Sequence, residues 1–145
     1  MVTLSIVPLK VESPLDRVVN QPVICAYART PVGRYRGALS DFSAVDLGTM
    51  AVTELLLRAK IDPSSGAIDQ VYMGQVLQAG SGQAPARQVA ISSGMPFSTP
   101  CTTINKVCGS SLKAAMIAAT CMSPLSAFKR ASCFSENMTP ERAVR

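Results

Sequence analysis

The sequence predicts an α/β fold with a mostly parallel central sheet and helices on both faces. Two observations carry that expectation. Short apolar or β-branched runs alternate with longer segments whose apolar residues recur at helical spacing, in a β-α-β-α-β-α order. The first of those runs is continuously apolar, which suits a strand buried on both sides of a parallel sheet.

Taken in order, Pro22 to Ala28 is the first predicted strand, ending at the turn Arg29-Thr30-Pro31-Val32-Gly33. Ser43 is a good helix N-cap, with Asp46 three positions on completing an Asp form of the capping box. From there Leu47, Met50, Ala51, Leu55 and Ala59 fall on one helical face, and Asp62-Pro63 closes the helix. Ile68 to Leu77, centred on Val71 to Val76, reads as the second strand. Gly80-Ser81-Gly82 is a loop and not a phosphate cradle, because no third glycine or Walker lysine follows. Pro85 suits the first turn of a helix reaching Ser93, and Gly94-Met95-Pro96 stops it. Thr99 to Ile104 reads as a third strand, and Leu112 to Thr120, rich in Ala, as a buried helix.

Composition narrows the function classes. With 145 residues and a hydrophobic fraction of 48%, the chain has material for one domain with a core. It contains no apolar run long enough for a membrane span. The net charge of +5 is scattered, with Arg29, Arg34 and Arg36 as the only local cluster, so no nucleic-acid partner is expected. Five cysteines at 25, 101, 108, 121 and 133 form no CxxC pair, which reads as free thiols in a reducing compartment. Histidine is absent, which removes histidine metal ligands and the commonest general base. No metal site and no permanently bound cofactor are expected.

The chemistry-bearing stretch is Asn105-Lys106-Val107-Cys108-Gly109-Ser110-Ser111-Leu112-Lys113-Ala114. It places Cys108 at a strand-to-helix turn, on the first turn of the helix, where unpaired N–H groups favour a thiolate. Lys106 and Lys113 add positive charge nearby in sequence, and Gly109 allows close approach of a reacting group. Against this stands the fact that buried cysteines are common and usually inert. Cys25 and Cys101 carry that packing reading, and Ser110 and Ser111 read as first-turn serines that satisfy backbone groups.

Asn105 to Ala114 resembles the active-site segment of the thiolase family. Ala28-Arg29-Thr30-Pro31-Val32-Gly33 resembles the family's N-terminal signature. Tyr72 to Gln78 and Gly82-Gln83-Ala84-Pro85-Ala86-Arg87-Gln88 resemble its next two blocks, in the same order. The resemblance runs from about Pro22 to Thr120 and is closest to the acetyl-CoA acetyltransferases of that family. It implies an incomplete thiolase-type N-terminal domain, with Cys108 as the catalytic cysteine that carries the acyl group. It also implies acetyl-CoA or another acyl-CoA as substrate, a homo-oligomer (dimer or tetramer) when complete, and bases supplied by later parts of a longer chain. Gln83 and Arg87 read as site support, a subunit contact or a surface role.

The chain therefore divides into a poorly ordered extension over 1–21, a partial domain over 22–120 and a divergent tail over 121–145. Val2 to Leu9 lacks a small-residue cleavage pattern, and Glu12 and Asp16 argue against a mitochondrial presequence, so the expected compartment is the cytoplasm with the mitochondrion as alternative. In the tail, Lys129-Arg130 interrupts what the family resemblance implies is an apolar strand, yet Ser135-Glu136-Asn137-Met138-Thr139 resembles the block that follows. One hypothesis is a reading-frame slip that corrects itself before Ser135. Sequencing the gene across that stretch tests it, because an apolar strand must then appear in a shifted frame. Three functions compete: part of an acetyl-CoA acetyltransferase, a silent thiolase-derived fragment, or a 3-ketoacyl-CoA thiolase. A thiol redox role has no CxxC to support it.

Overall fold

A computed structural model of the protein describes residues 22–121. The extension over 1–21 and the tail beyond Cys121, with the suspected frame slip, lie outside the described residues. The elements are helix α1 (Ala44–Ala59), strand β1 (Val71–Gly74), helix α2 (Pro85–Ser92), strand β2 (Cys101–Ile104) and helix α3 (Ser110–Cys121), with a short 3₁₀ turn at Pro63–Ser65.

The sheet is parallel, with β1 beside β2 in the register Val71↔Cys101, Tyr72↔Thr102, Met73↔Thr103 and Gly74↔Ile104. Side chains alternate across a strand, so each face takes every second pair. Val71, Met73 and Cys101 pack with Ala86, Val89 and Ala90 of α2, and Val52 and Leu56 of α1 join the same cluster. Fully burying each Val or Leu there contributes about 2 kcal/mol. The other face carries Tyr72 and Gly74 towards α3: the Tyr72 hydroxyl lies 3.4 Å from Cys121 Sγ. Helices thus cover both faces of a parallel sheet, as the sequence predicts.

Local chemistry explains the helix boundaries. Ser43 and Asp46 form the expected reciprocal capping box. The Asp46 amide donates to Ser43 Oγ at 3.1 Å, and the Ser43 amide donates to Asp46 Oδ2 at 2.9 Å. The Ser43 hydroxyl also donates to Asp46 Oδ2 at 2.6 Å, and that bond, with the Ser43 amide second, holds the Asp46 carboxyl below its usual pKa. The helix ends at Ala59, short of Asp62-Pro63, because Lys60 turns into the left-handed region at φ 55°. Its buried stripe is Gly48, Ala51, Val52, Leu55 and Leu56, rotated from the predicted one so that Met50 is exposed. At α2 no side chain of the N-cap serves; Thr103 Oγ1 on β2 accepts from the Ala86 amide at 3.0 Å instead.

Two expectations are corrected. Pro22 to Ala28 forms no strand beyond a single bridge residue at Ala28: Val23, Ile24 and Tyr27 are exposed, and within the segment only Ala28 is buried. An extended segment becomes a strand only where a neighbour offers a ladder. Among the described residues, a side chain ties this one down, with Arg58 donating to the Tyr27 carbonyl at 3.3 Å. The second correction concerns α3, which is not a buried helix. Ser110 and Ala114 are buried, whereas Leu112 and Met116 are 69% and 53% exposed, because among the described residues the sheet is the main element α3 packs against.

Candidate active site

Parallel strands leave a crevice beyond their carboxyl ends, where the loops that follow them diverge. Here the loops after β1 and β2 meet in that position. The last backbone rung is the Gln75 amide donating to the Ile104 carbonyl at 3.0 Å. Beyond it the Asn105 side-chain amide donates to the Val76 carbonyl at 2.9 Å.

The chain then curls into the turn that carries Cys108. The Val107 amide donates to Asn105 Oδ1 at 3.0 Å. Ser110 Oγ accepts from the Lys106 amide at 2.8 Å and donates to the Val107 carbonyl at 2.6 Å. The Gly109 amide closes onto the Lys106 carbonyl at 3.0 Å. Cys108 itself is exposed and stands two residues before α3 begins, not on the first helical turn as expected. The reason is Val107, whose φ of 46° lies in the left-handed region, so helical dihedrals start only after the turn. A β-branched residue there is strained, and such strain persists only where surrounding bonds over-determine it. The four bonds just described do so.

A close approach seats the whole turn on the sheet. A Cβ added to Gly74 would lie 2.3 Å from the Ser110 carbonyl carbon and the Ser111 amide nitrogen, both backbone. Only glycine at the end of β1 lets the first turn of α3 rest there. Sequence reasoning places Gly74 within a family block without this role; a glycine closing an otherwise apolar strand is the signal that points to it.

The other candidates settle into packing or surface roles. Cys101 is half-buried against the core, and its thiol donates to the Thr99 carbonyl at 3.2 Å. Burial pushes that thiol's pKa up, with the Arg87 guanidinium pulling the other way. Arg87 donates to the Phe97 carbonyl at 3.0 Å, and the Gln83 carbonyl accepts from Gln88 at 2.8 Å. Gln75 is buried and holds the loop after β1, donating to the Leu77 carbonyl and to Ser81 Oγ. The Gly80-Ser81-Gly82 loop is bound to the protein itself, because the Ser81 carbonyl also accepts from Gln88. Lys106 is exposed, Lys113 is half-buried, and the Lys106 stem runs past Gly109, where an added Cβ would lie 3.9 Å from its Cδ. Among the described residues no group of metal-ligating side chains forms, and no helix is long and apolar enough to cross a membrane. The arrangement presents an accessible thiol on the turn beyond the carboxyl ends of the two strands, suited to nucleophilic attack on an electrophile that brings its own binding energy.

The family model described as thiolase, N-terminal domain, matches residues 22–128. That match starts where the resemblance in the sequence starts and runs on past Thr120. The mitochondrial acetyl-CoA acetyltransferase A of Xenopus laevis is 48% identical over 104 residues, covering 72% of this chain and 24% of the relative. Acetyl-CoA acetyltransferase 2 of Arabidopsis thaliana is 48% identical over 103 residues, covering 70% of this chain and 25% of the relative. Among solved structures, an Ascaris suum thiolase in complex with coenzyme A is 44% identical with a TM-score of 0.63, over 66% of this chain and 24% of that one. The chain thus spans about a quarter of the length of the relatives it matches.

Proposed function

Because the chain belongs to the thiolase family, part of whose N-terminal domain it carries, we propose that it is part of a longer acetyl-CoA acetyltransferase in which Cys108 accepts the acyl group. The observation that carries this reading is an exposed thiol on a strained turn at the carboxyl ends of β1 and β2. That turn lies inside the segment the family model matches.

In the first half-reaction the Cys108 thiolate attacks the thioester carbonyl of acetyl-CoA. A new C–S bond forms, the bond to the coenzyme A sulfur breaks, and the departing thiolate takes a proton. In the second, another acetyl-CoA loses a proton from the carbon beside its carbonyl, and that carbanion attacks the acetyl-cysteine. Acetoacetyl-CoA forms and the Cys108 thiolate is released; the reverse direction cleaves a 3-ketoacyl-CoA. A thioester on cysteine suits both halves, since it is reactive enough to pass its acyl group onward.

An exposed thiolate takes an acetyl group slowly from excess acetyl-CoA unaided, but turnover through both halves needs proton acceptors, and this chain has no histidine. Those groups, and most contacts to coenzyme A, belong to other parts of the longer enzyme. The coenzyme A complex of the Ascaris suum thiolase supports coenzyme A thioesters as substrates. Assembly as a dimer or tetramer is the expected state of the completed enzyme. The mitochondrial names of several relatives favour the mitochondrial alternative over the cytoplasm.

Sequencing the gene well past codon 145, in all frames, tests the reading. A Gly-His-Pro motif and a Cys-x-Gly-Gly-Gly motif downstream are the expected result. A true stop without them leaves a silent fragment and removes the enzyme claim. If the motifs are present, turnover of longer ketoacyl substrates in preference to acetoacetyl-CoA would move the chain to the 3-ketoacyl-CoA thiolases.

A further inference from the structure

The geometry points to Asn105 as a positioning residue that holds the Cys108 turn by adding a side-chain rung to the parallel ladder. The inference rests on the reading of Cys108 as acyl acceptor. Up to Gly74↔Ile104 the two strands are joined by backbone alone, ending with the Gln75 amide on the Ile104 carbonyl. At the next step the β2 chain leaves the ladder, and its Lys106 amide donates to Ser110 Oγ at 2.8 Å. The Gln75 carbonyl, which a continued ladder would offer to that amide, accepts from Gln78 Nε2 at 3.2 Å, and the Val76 carbonyl beside it accepts from Asn105 Nδ2 at 2.9 Å. The same carboxamide uses its oxygen, Oδ1, to accept from the Val107 amide at 3.0 Å.

One side chain therefore performs two tasks that a backbone amide cannot combine. Its donor ties the turn to the loop after β1, whose neighbouring Gln75 is buried and anchors Leu77 and Ser81. Its acceptor holds the residue before Cys108 at φ 46°, a conformation valine does not adopt unaided. With this tie made by a side chain, the backbone of 106–108 is free to curl and present the thiol. Asparagine is specified because the task needs a donor and an acceptor on one short planar group. Aspartate keeps the acceptor and loses the donor; alanine loses both.

The test uses the full chain as wild type, Asn105→Ala and Asn105→Asp, with three readouts. Amide exchange at Val107 reports the acceptor bond. Acetylation of Cys108 by acetyl-CoA reports orientation of the thiol. Alkylation by iodoacetamide, which needs only an accessible thiol, is followed at Cys108 and at the half-buried Cys101, so that Cys101 monitors the fold. Expected for Asn105→Ala is Val107 exchange about tenfold faster, the size of one lost hydrogen bond. Its Cys108 acetylation falls about tenfold by the same measure, while alkylation of both cysteines stays unchanged. Asn105→Asp keeps Val107 protected yet loses acetylation, because the tie to Val76 is gone. If Asn105→Ala exposes Cys101 and so has unfolded, Asn105→Asp decides alone. Unchanged Val107 exchange in Asn105→Ala overturns the inference, as does unchanged acetylation in a folded variant of either kind. Absence of acetylation in the wild type overturns the acyl-acceptor reading instead, and the exchange result then decides whether Asn105 holds the turn.

Discussion

The two faces of the same short sheet are built on opposite plans. On one, Val71, Met73 and Cys101 meet α2, and α1 closes over α2 from behind, so that Val52, Leu55 and Val89 are the largest fully buried side chains. On the other, α3 buries Ser110 and Ala114, brings Cys121 to Tyr72 and leaves Leu112 and Met116 exposed. Stability resides on the first face. The second uses its contacts to hold a turn: a glycine stripped of its side chain, a serine and an asparagine each making two hydrogen bonds, and a valine in a strained conformation. The thiols of β2 and its following turn divide the same way. Cys101 is sheltered and pushed towards its protonated form, whereas Cys108 is exposed.

The sharpest way to break this contrast is to exchange the thiols' fates. Cys108→Ser is expected to abolish thioester formation at position 108. Cys101→Ser should leave it intact and cost about 1–2 kcal/mol of stability, through a poorly matched hydroxyl in a core. Equal loss in both variants, measured by peptide mass spectrometry, would erase the distinction. Next in size, Leu56→Ala on the sealed side is expected to destabilise by about 3 kcal/mol, from lost transfer energy and a cavity. Leu112→Ala on the open side should change stability by no more than about 0.5 kcal/mol. Chemical denaturation of both variants compares the faces directly, and similar losses would mean that α3 is covered.

Gly74→Ala probes the joint between the faces. Its new methyl meets backbone rather than a movable side chain, so about 2–3 kcal/mol is expected, together with loss of acetylation as α3 is displaced. Retained acetylation at an unchanged melting temperature would contradict the close approach. The smallest effect belongs to the capping box. The Asp46 pKa is lowered in the fold by its bonds to Ser43, so its contribution is present above the unfolded carboxylate's pKa and fades as pH falls through and below it. Asp46→Asn should flatten that acid limb, and an unaltered pH profile by circular dichroism would remove the assignment. Exposed Leu112, Met116, Val23 and Ile24 further predict self-association of the isolated chain. A sharp cooperative melt from a monomer in analytical ultracentrifugation would count against that.

The features legible in the amino-acid sequence are those with short-range causes. They include the capping box of Ser43 and Asp46, the Pro85 start of α2, the strand before Asn105 and the place of Cys108 between a strand and a helix. Such signals survive in a sequence because their partners lie within a few residues. What the sequence does not show depends on distant partners. Pro22 to Ala28 has the composition of a strand, but composition cannot supply the neighbour whose ladder it would join. The Ala-rich run of α3 reads as buried because its residues are apolar, and only the fold reveals that one side of it is left open. The roles of Gly74 and Asn105 are likewise invisible locally, since one meets backbone at Ser110 and the other bonds to Val76.

The most direct measurement is to incubate the chain with excess acetyl-CoA and map acetyl groups on every cysteine by peptide mass spectrometry, with hydroxylamine to identify thioesters. A hydroxylamine-sensitive acetyl group is expected on Cys108, formed faster than on any other cysteine. No acetyl group at Cys108, or equal labelling of Cys101 and Cys108, would contradict it.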